Sequence, residues 1–155
     1  MCDLYEKFCI HYLKTGIKPV KFAYLCSLMK IYLLSNGIKK MDVLKFKDAL
    51  TFMKYANIDT EYYYVDFRPF KNQTKTYIYI KNCIESIGYT LLHEVTYNNI
   101  EYDFAFIYNG WSGPYLYFIS IDNNKISYPY TINLSSNNIY ETKNIVAKTL
   151  SKWLI

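Results

Sequence analysis

Three carboxylates in the second half of this 155-residue chain, Glu94, Asp103 and Asp122, are spaced so that a β-meander would gather them. Asn98-Asn99 suits a two-residue turn, because asparagine tolerates the positive φ that tight hairpins need. A turn there pairs residues whose numbers sum to 197, which sets Glu94 opposite Asp103. A connection centred between residues 112 and 113 pairs residues summing to 225, which sets Asp103 opposite Asp122. Directly opposed side chains share a face and sit about 5 Å apart at Cβ. Like charges so placed repel unless a cation lies between them, and hard carboxylate oxygens suit Mg²⁺ or Mn²⁺. Such an ion would ready a water and stabilise a phosphodiester leaving group. A plainer reading stands beside this one: Asp122 with Asn123, Asn124 and Lys125 is also ordinary turn chemistry, and Asp103 can pair with a lysine.

The elements that would carry these acids follow from composition and periodicity. Aromatic and β-branched residues dominate 62–67 and 76–81, and strands are expected there and at 89–97, 100–108, 115–121 and 125–132. Gly110-Trp-Ser-Gly-Pro114 reads as a longer loop, with Trp111 and Tyr115 either packing it or forming a stacking platform. A short helix fits 82–87. Asn138 with Glu141 resembles a capping box for a last helix that would bury Ile139, Val146, Leu150 and Trp153. Ahead of the strands, helices are expected at 3–14, ended by Thr15-Gly16; at 19–35, with Pro19 in the first turn and Asn36-Gly37 as the stop; and at 43–57, capped by Asp42. The fold class is therefore α+β. N-terminal helices and a basic hairpin pack with a mostly antiparallel meander and a C-terminal helix in a single compact domain, 1–155.

Charge divides the chain unevenly. Residues 1–81 hold 14 basic and 7 acidic side chains, whereas 82–155 hold 4 and 6. A basic, helical half can attract a phosphate backbone, although lysines also simply solvate helix faces. Lysine supplies 17 of the 18 cations, and Asn, Ile and Tyr are abundant, which is the signature of an AT-rich genome, as in viruses, phages and some bacteria. The four cysteines form no C-x-x-C pair and neither histidine lies near a cysteine pair, so no structural zinc site is expected. No apolar run reaches the length of about 18 residues that spans a bilayer, and the acidic start does not read as a leader. A cytoplasmic protein, in the host cell if viral, follows as the expectation. Phosphate-cradling and nucleophile-elbow glycine motifs are absent. His93 and Glu94 do not form a dyad, because neighbours on a strand point to opposite faces.

Two resemblances sharpen this reading. Three helices followed by a basic hairpin, over residues 3–81, is the order of a winged helix-turn-helix. That resemblance implies DNA contacts by Lys47, Thr51 and Lys54 on the third helix, and by Arg68, Lys71 and Lys75 on the wing. Residues 85–125, with Glu85, Glu94, Tyr102-Asp103-Phe-Ala-Phe106 and Tyr117-Phe-Ile-Ser-Ile-Asp122, resemble the core of the PD-(D/E)xK nucleases. That resemblance implies Glu85 as the helix acid and Asp103 as the central metal ligand. Ser120 stands where the second acid belongs, Asp122 stands at the lysine position, and Lys125 comes three residues late. Together these point to a nucleic-acid-acting protein whose enzymatic form is a divalent-metal DNA nuclease. In that form Glu94, Asp103 and Asp122 hold the metal and Glu85 or Lys125 assists. The alternatives are a non-catalytic winged-helix DNA-binding protein and a small viral or bacterial protein-interaction module.

Overall fold

The computed structural model describes residues 3–55, 61–69, 75–86, 88–110, 113–122, 125–133 and 139–140, some of the strand residues by backbone alone. Helices and antiparallel sheets are both present, so the fold is α+β. The chain forms two compact units, Met1–Pro69 and Phe70–Ile155.

The first unit runs α1 (Leu4–Tyr12), β1 (Leu13–Lys21), α2 (Phe22–Ser35), α3 (Val43–Phe52) and β2 (Tyr62–Phe67). Asp3 caps α1 by accepting the backbone N–H of Glu6 at 2.9 Å. Tyr5, Phe8, Cys9 and Tyr12 form its buried stripe at helical spacing. Asp42 caps α3 as expected, taking the N–H of Lys45 at 3.2 Å. Its own N–H donates to the hydroxyl of Tyr5 at 2.7 Å, which ties the start of α3 to α1. Phe8 and Phe46, both fully buried, meet edge to face with ring centroids 5.8 Å apart. Gly37, at φ +80°, ends α2 where Asn36-Gly37 was expected to stop it.

Residues 13–21 depart from the expected helix–turn–helix. They form a strand antiparallel to β2, and Pro19 lies inside it rather than opening α2. The ladder pairs Thr15 with Val65 and then Pro19 with Tyr64, so Gly16, Ile17 and Lys18 are extra residues on β1. Proline is tolerated at such an interruption because no ladder N–H is needed from it. Glycine is required at 16: a Cβ there would lie 2.5 Å from the carbonyl carbon of Val65 and 2.6 Å from the nitrogen of Asp66. α2 starts at Phe22 without a side-chain cap, and the N–H of Phe22 donates instead to the carbonyl of Glu61. α3 is shorter than the expected 43–57, ending at Phe52, with Lys54 left-handed at φ 62°.

The second unit runs α4 (Lys75–Ser86), β3 (Leu91–Tyr97), β4 (Ile100–Gly110), β5 (Gly113–Asp122), β6 (Lys125–Asn133) and the two-residue β7 (Ile139–Tyr140), the strands ordered as a simple antiparallel meander. Residues 76–81, expected as a strand, belong to α4 and continue through the expected short helix. The alternation Tyr77-Ile-Tyr-Ile80 mimics a strand, but Tyr77, Ile80 and Ile84 are the residues that bury, at the spacing of one helix face. They pack on Leu91, Phe104, Phe106, Tyr117 and Ile119 of the sheet. Tyr77 lies 4.4 Å from Phe104 between ring centroids. The opposite sheet face carries Leu92, Ala105, Leu116 and Phe118, which are also buried. Ile139 and Tyr140 pair with β6 rather than opening a helix; Asn138 and residues 141–155, where the last helix was expected, lie outside the described residues.

Candidate functional site

The hairpin register behind the acidic site is the expected one. Asn98 and Asn99 both adopt positive φ, at 50° and 63°, and β3 pairs with β4 from Leu91–Phe106 to Tyr97–Ile100. This alignment brings Glu94 level with Asp103. The ladder itself skips that pair: His93 opposes Phe104 and Val95 opposes Tyr102, while Glu94 sits at φ 52°. A left-handed glutamate on an edge strand also blunts that edge against further pairing.

The second register differs from expectation. β4 runs on to Gly110 and β5 begins at Gly113, so the connection is centred one residue earlier, and Phe104 opposes Ile119. Glycines that read as loop residues instead end two long strands. Counting back from that register, Ser120 falls opposite Asp103, and Asp122 is two residues further along, paired through its backbone with Lys125. The side chains of Asp122 and Lys125 lie outside the described residues.

Asp103 is half-buried, and one of its carboxylate oxygens accepts the backbone N–H of Ile121 at 2.7 Å. The carboxylate thus closes the ladder where the backbone pairing of β4 with β5 has stopped. β5 is also irregular against β6 between Phe118 and Ser120, so the interruption runs across neighbouring strands. Burial raises the pKa of Asp103, the bond from Ile121 lowers it, and the charges of Glu101 and Glu94 raise it again, with a net rise. The hydroxyl of Tyr77 reaches the backbone carbonyl of Asp103 at 3.4 Å. Its pKa is pushed up by burial and then by the charges of Asp103 and Glu94. Glu94, Asp103 and Tyr77 therefore form one electrostatic cluster. Glu85 is paired with Lys81 one helical turn away on α4. Among the described residues no three His, Cys, Asp or Glu side chains are grouped to hold a metal ion.

The expected nucleic-acid contacts are redistributed. Lys47 lies on α3 with its ammonium 5.4 Å from the centre of the Phe22 ring, a cation–π contact. Thr51 is exposed on the same helix, and its hydroxyl donates to the carbonyl of Lys47 at 2.9 Å. Lys54 has left the helix and does not continue that face. The expected wing is not a hairpin of 62–67 with 76–81, since β2 pairs with β1 and 76–81 is helical. Arg68 holds the framework together. Its backbone N–H donates to the carbonyl of Tyr12 at 2.8 Å and its Nε to the carbonyl of Leu13 at 2.9 Å, fastening β2 to the start of β1. Lys75 is exposed at the first position of α4, and Lys71 and Trp111 lie outside the described residues.

Sequence reasoning passed over Lys14, Lys18 and Lys21, all exposed on β1. The signal was there: three lysines among Thr15, Ile17 and Val20, a β-branched run hidden by Gly16 and Pro19. No helix among the described residues is long and apolar enough to cross a membrane. No family model, curated protein or solved structure matches this chain.

Proposed function

We propose that the protein binds duplex DNA through its first unit. The observation that carries this reading is the bracketing of α2 and α3 by the β1–β2 ladder, which leaves β1 with three exposed lysines and α3 with Lys45 and Thr51 exposed and Lys47 half-exposed. Residues 1–69 hold 11 basic and 7 acidic side chains, so the unit carries a net positive charge. A helix held by its inner face with its outer face open is what a major groove accepts, and lysines around it supply phosphate contacts. The test is duplex binding by the full chain and by a Lys18→Glu/Lys21→Glu variant. Both positions are exposed, Lys18 lies outside the ladder and Lys21 opposes Tyr62 rather than an acid, so folding is retained, and the charge reversal is expected to weaken binding at least tenfold. Unchanged affinity would overturn the reading.

A second reading, Mg²⁺- or Mn²⁺-dependent cleavage, is favoured by one observation: the β3–β4 register aligns Glu94 with Asp103, and both charges act on Tyr77. Against it, one Asp103 oxygen is engaged by Ile121, and Ser120 rather than an acid completes the row. If this reading holds, linear DNA is cut only with the metal, and Asp103→Ala abolishes cutting while binding survives. Absence of metal-dependent cutting by the wild type would remove it.

A further inference from the structure

The interruption in β1 presents one apolar side chain on a charged strand. Ile17 is 87% exposed, more than any other exposed large hydrophobic among the described residues. It sits at the middle of the three residues that the ladder leaves unpaired, between Thr15–Val65 and Pro19–Tyr64. Its mounting is fixed on both sides. Gly16 is packed so closely on the backbone of Val65 and Asp66 that no other residue fits without a shift, and Pro19 locks its own φ. Lys14, Lys18 and Lys21 flank the tip and are all exposed.

We propose that this bulge is a groove wedge: Ile17 enters the minor groove of duplex DNA while Lys14, Lys18 and Lys21 hold the phosphates on its banks. The inference rests on the duplex-binding reading above and deepens it by naming a second contact, separate from α3. Minor-groove proteins that kink a duplex frequently insert an apolar side chain between base steps, with cations alongside. A narrow strand bulge with a branched apolar tip has that form, and Lys14, Lys18 and Lys21 outnumber the one acid at its foot, Asp66, which opposes Lys14 in the ladder. A lipid surface is the other anionic partner. It rewards a cluster of apolar side chains, whereas Ile17 has Thr15, Lys18 and Pro19 around it.

The experiment uses the full chain, a duplex labelled at both ends to read bending by energy transfer, and vesicles of phosphatidylserine and phosphatidylcholine. Ile17→Ala should fold as the wild type, because the side chain is in solvent, yet bind the duplex about tenfold more weakly and lose the bend. Replacing the three lysines with alanine should lower the slope of log affinity against log salt by about one per lysine. Wild-type affinity and bending in Ile17→Ala, with duplex binding intact, would overturn the wedge and leave the duplex reading standing. No duplex binding by the wild type would overturn both. Vesicle binding that depends on Ile17, without duplex binding, would likewise overturn both and assign the bulge to lipid.

Discussion

At residues 16–18 the β1–β2 ladder throws its extra residues outward, whereas at Asp103 the β4–β5 ladder draws a carboxylate in. Both are interruptions of antiparallel pairing: the first depends on close approach at Gly16, and beside the second the neighbouring strand β3 is itself interrupted at Glu94, which takes a positive φ. They serve opposite ends. In the first unit the interruption leaves Lys18 and Ile17 in solvent, free to meet a partner. In the second it engages Asp103 with the N–H of Ile121, and the charge becomes part of the framework. An acid in the middle of a sheet is thus weak grounds for catalysis until its hydrogen bonds are accounted for, while lysines on an irregular strand are accessible by construction.

The largest expected effect sharpens the inward half of the contrast. Phe104→Ala, beside Asp103 and fully buried against Tyr77, should cost about 3–5 kcal/mol in denaturant unfolding. An outcome below about 1 kcal/mol would mean that the α4–sheet core is not packed as described. Gly16→Ala comes next, at about 1–3 kcal/mol, since the added methyl meets the backbone of Val65 and Asp66 first and the Asp66 side chain behind them. A neutral result would break the account of the β1 bulge. Glu94→Gly should stabilise the protein by about 1 kcal/mol, because a left-handed residue with a Cβ is strained and glycine is not. The smallest effect carries a pH signature. Asp103 has a raised pKa when folded, so the stability it lends is present below its ordinary value of 3.8 and is lost as pH rises through the raised one. Asp103→Asn, which keeps an acceptor for Ile121, should match the wild type near pH 3 and exceed it modestly at pH 7, by about 1 kcal/mol or less. A variant less stable than wild type at neutral pH would contradict burial as the dominant influence on that carboxyl.

Much of the fold was legible from local chemistry. Asp42 as a cap, Asn36-Gly37 as a stop and Asn98-Asn99 as a tight turn each depend on a few adjacent residues, and each is where the sequence places it. The failures share a cause, since they depend on partners far along the chain. Residues 76–81 have strand chemistry but fold as a helix because Tyr77, Ile80 and Ile84 have a sheet to cover. Residues 13–21 form a strand because β2, some 40 residues later, pairs with them. The acidic site was half legible for the same reason: its first register hangs on a two-residue turn, whereas its second hangs on where two glycines end their strands.

The most direct test of DNA binding by the first unit is a salt series. The full-length protein, with a chelator present, is titrated into a labelled mixed-sequence duplex at several potassium chloride concentrations. Metal-free binding is expected, its log affinity falling linearly with log salt by roughly 0.9 for each phosphate contacted, with a slope of about −3 if the β1 lysines alone engage. Binding that ignores salt, or appears only once Mg²⁺ or Mn²⁺ is restored, would contradict it.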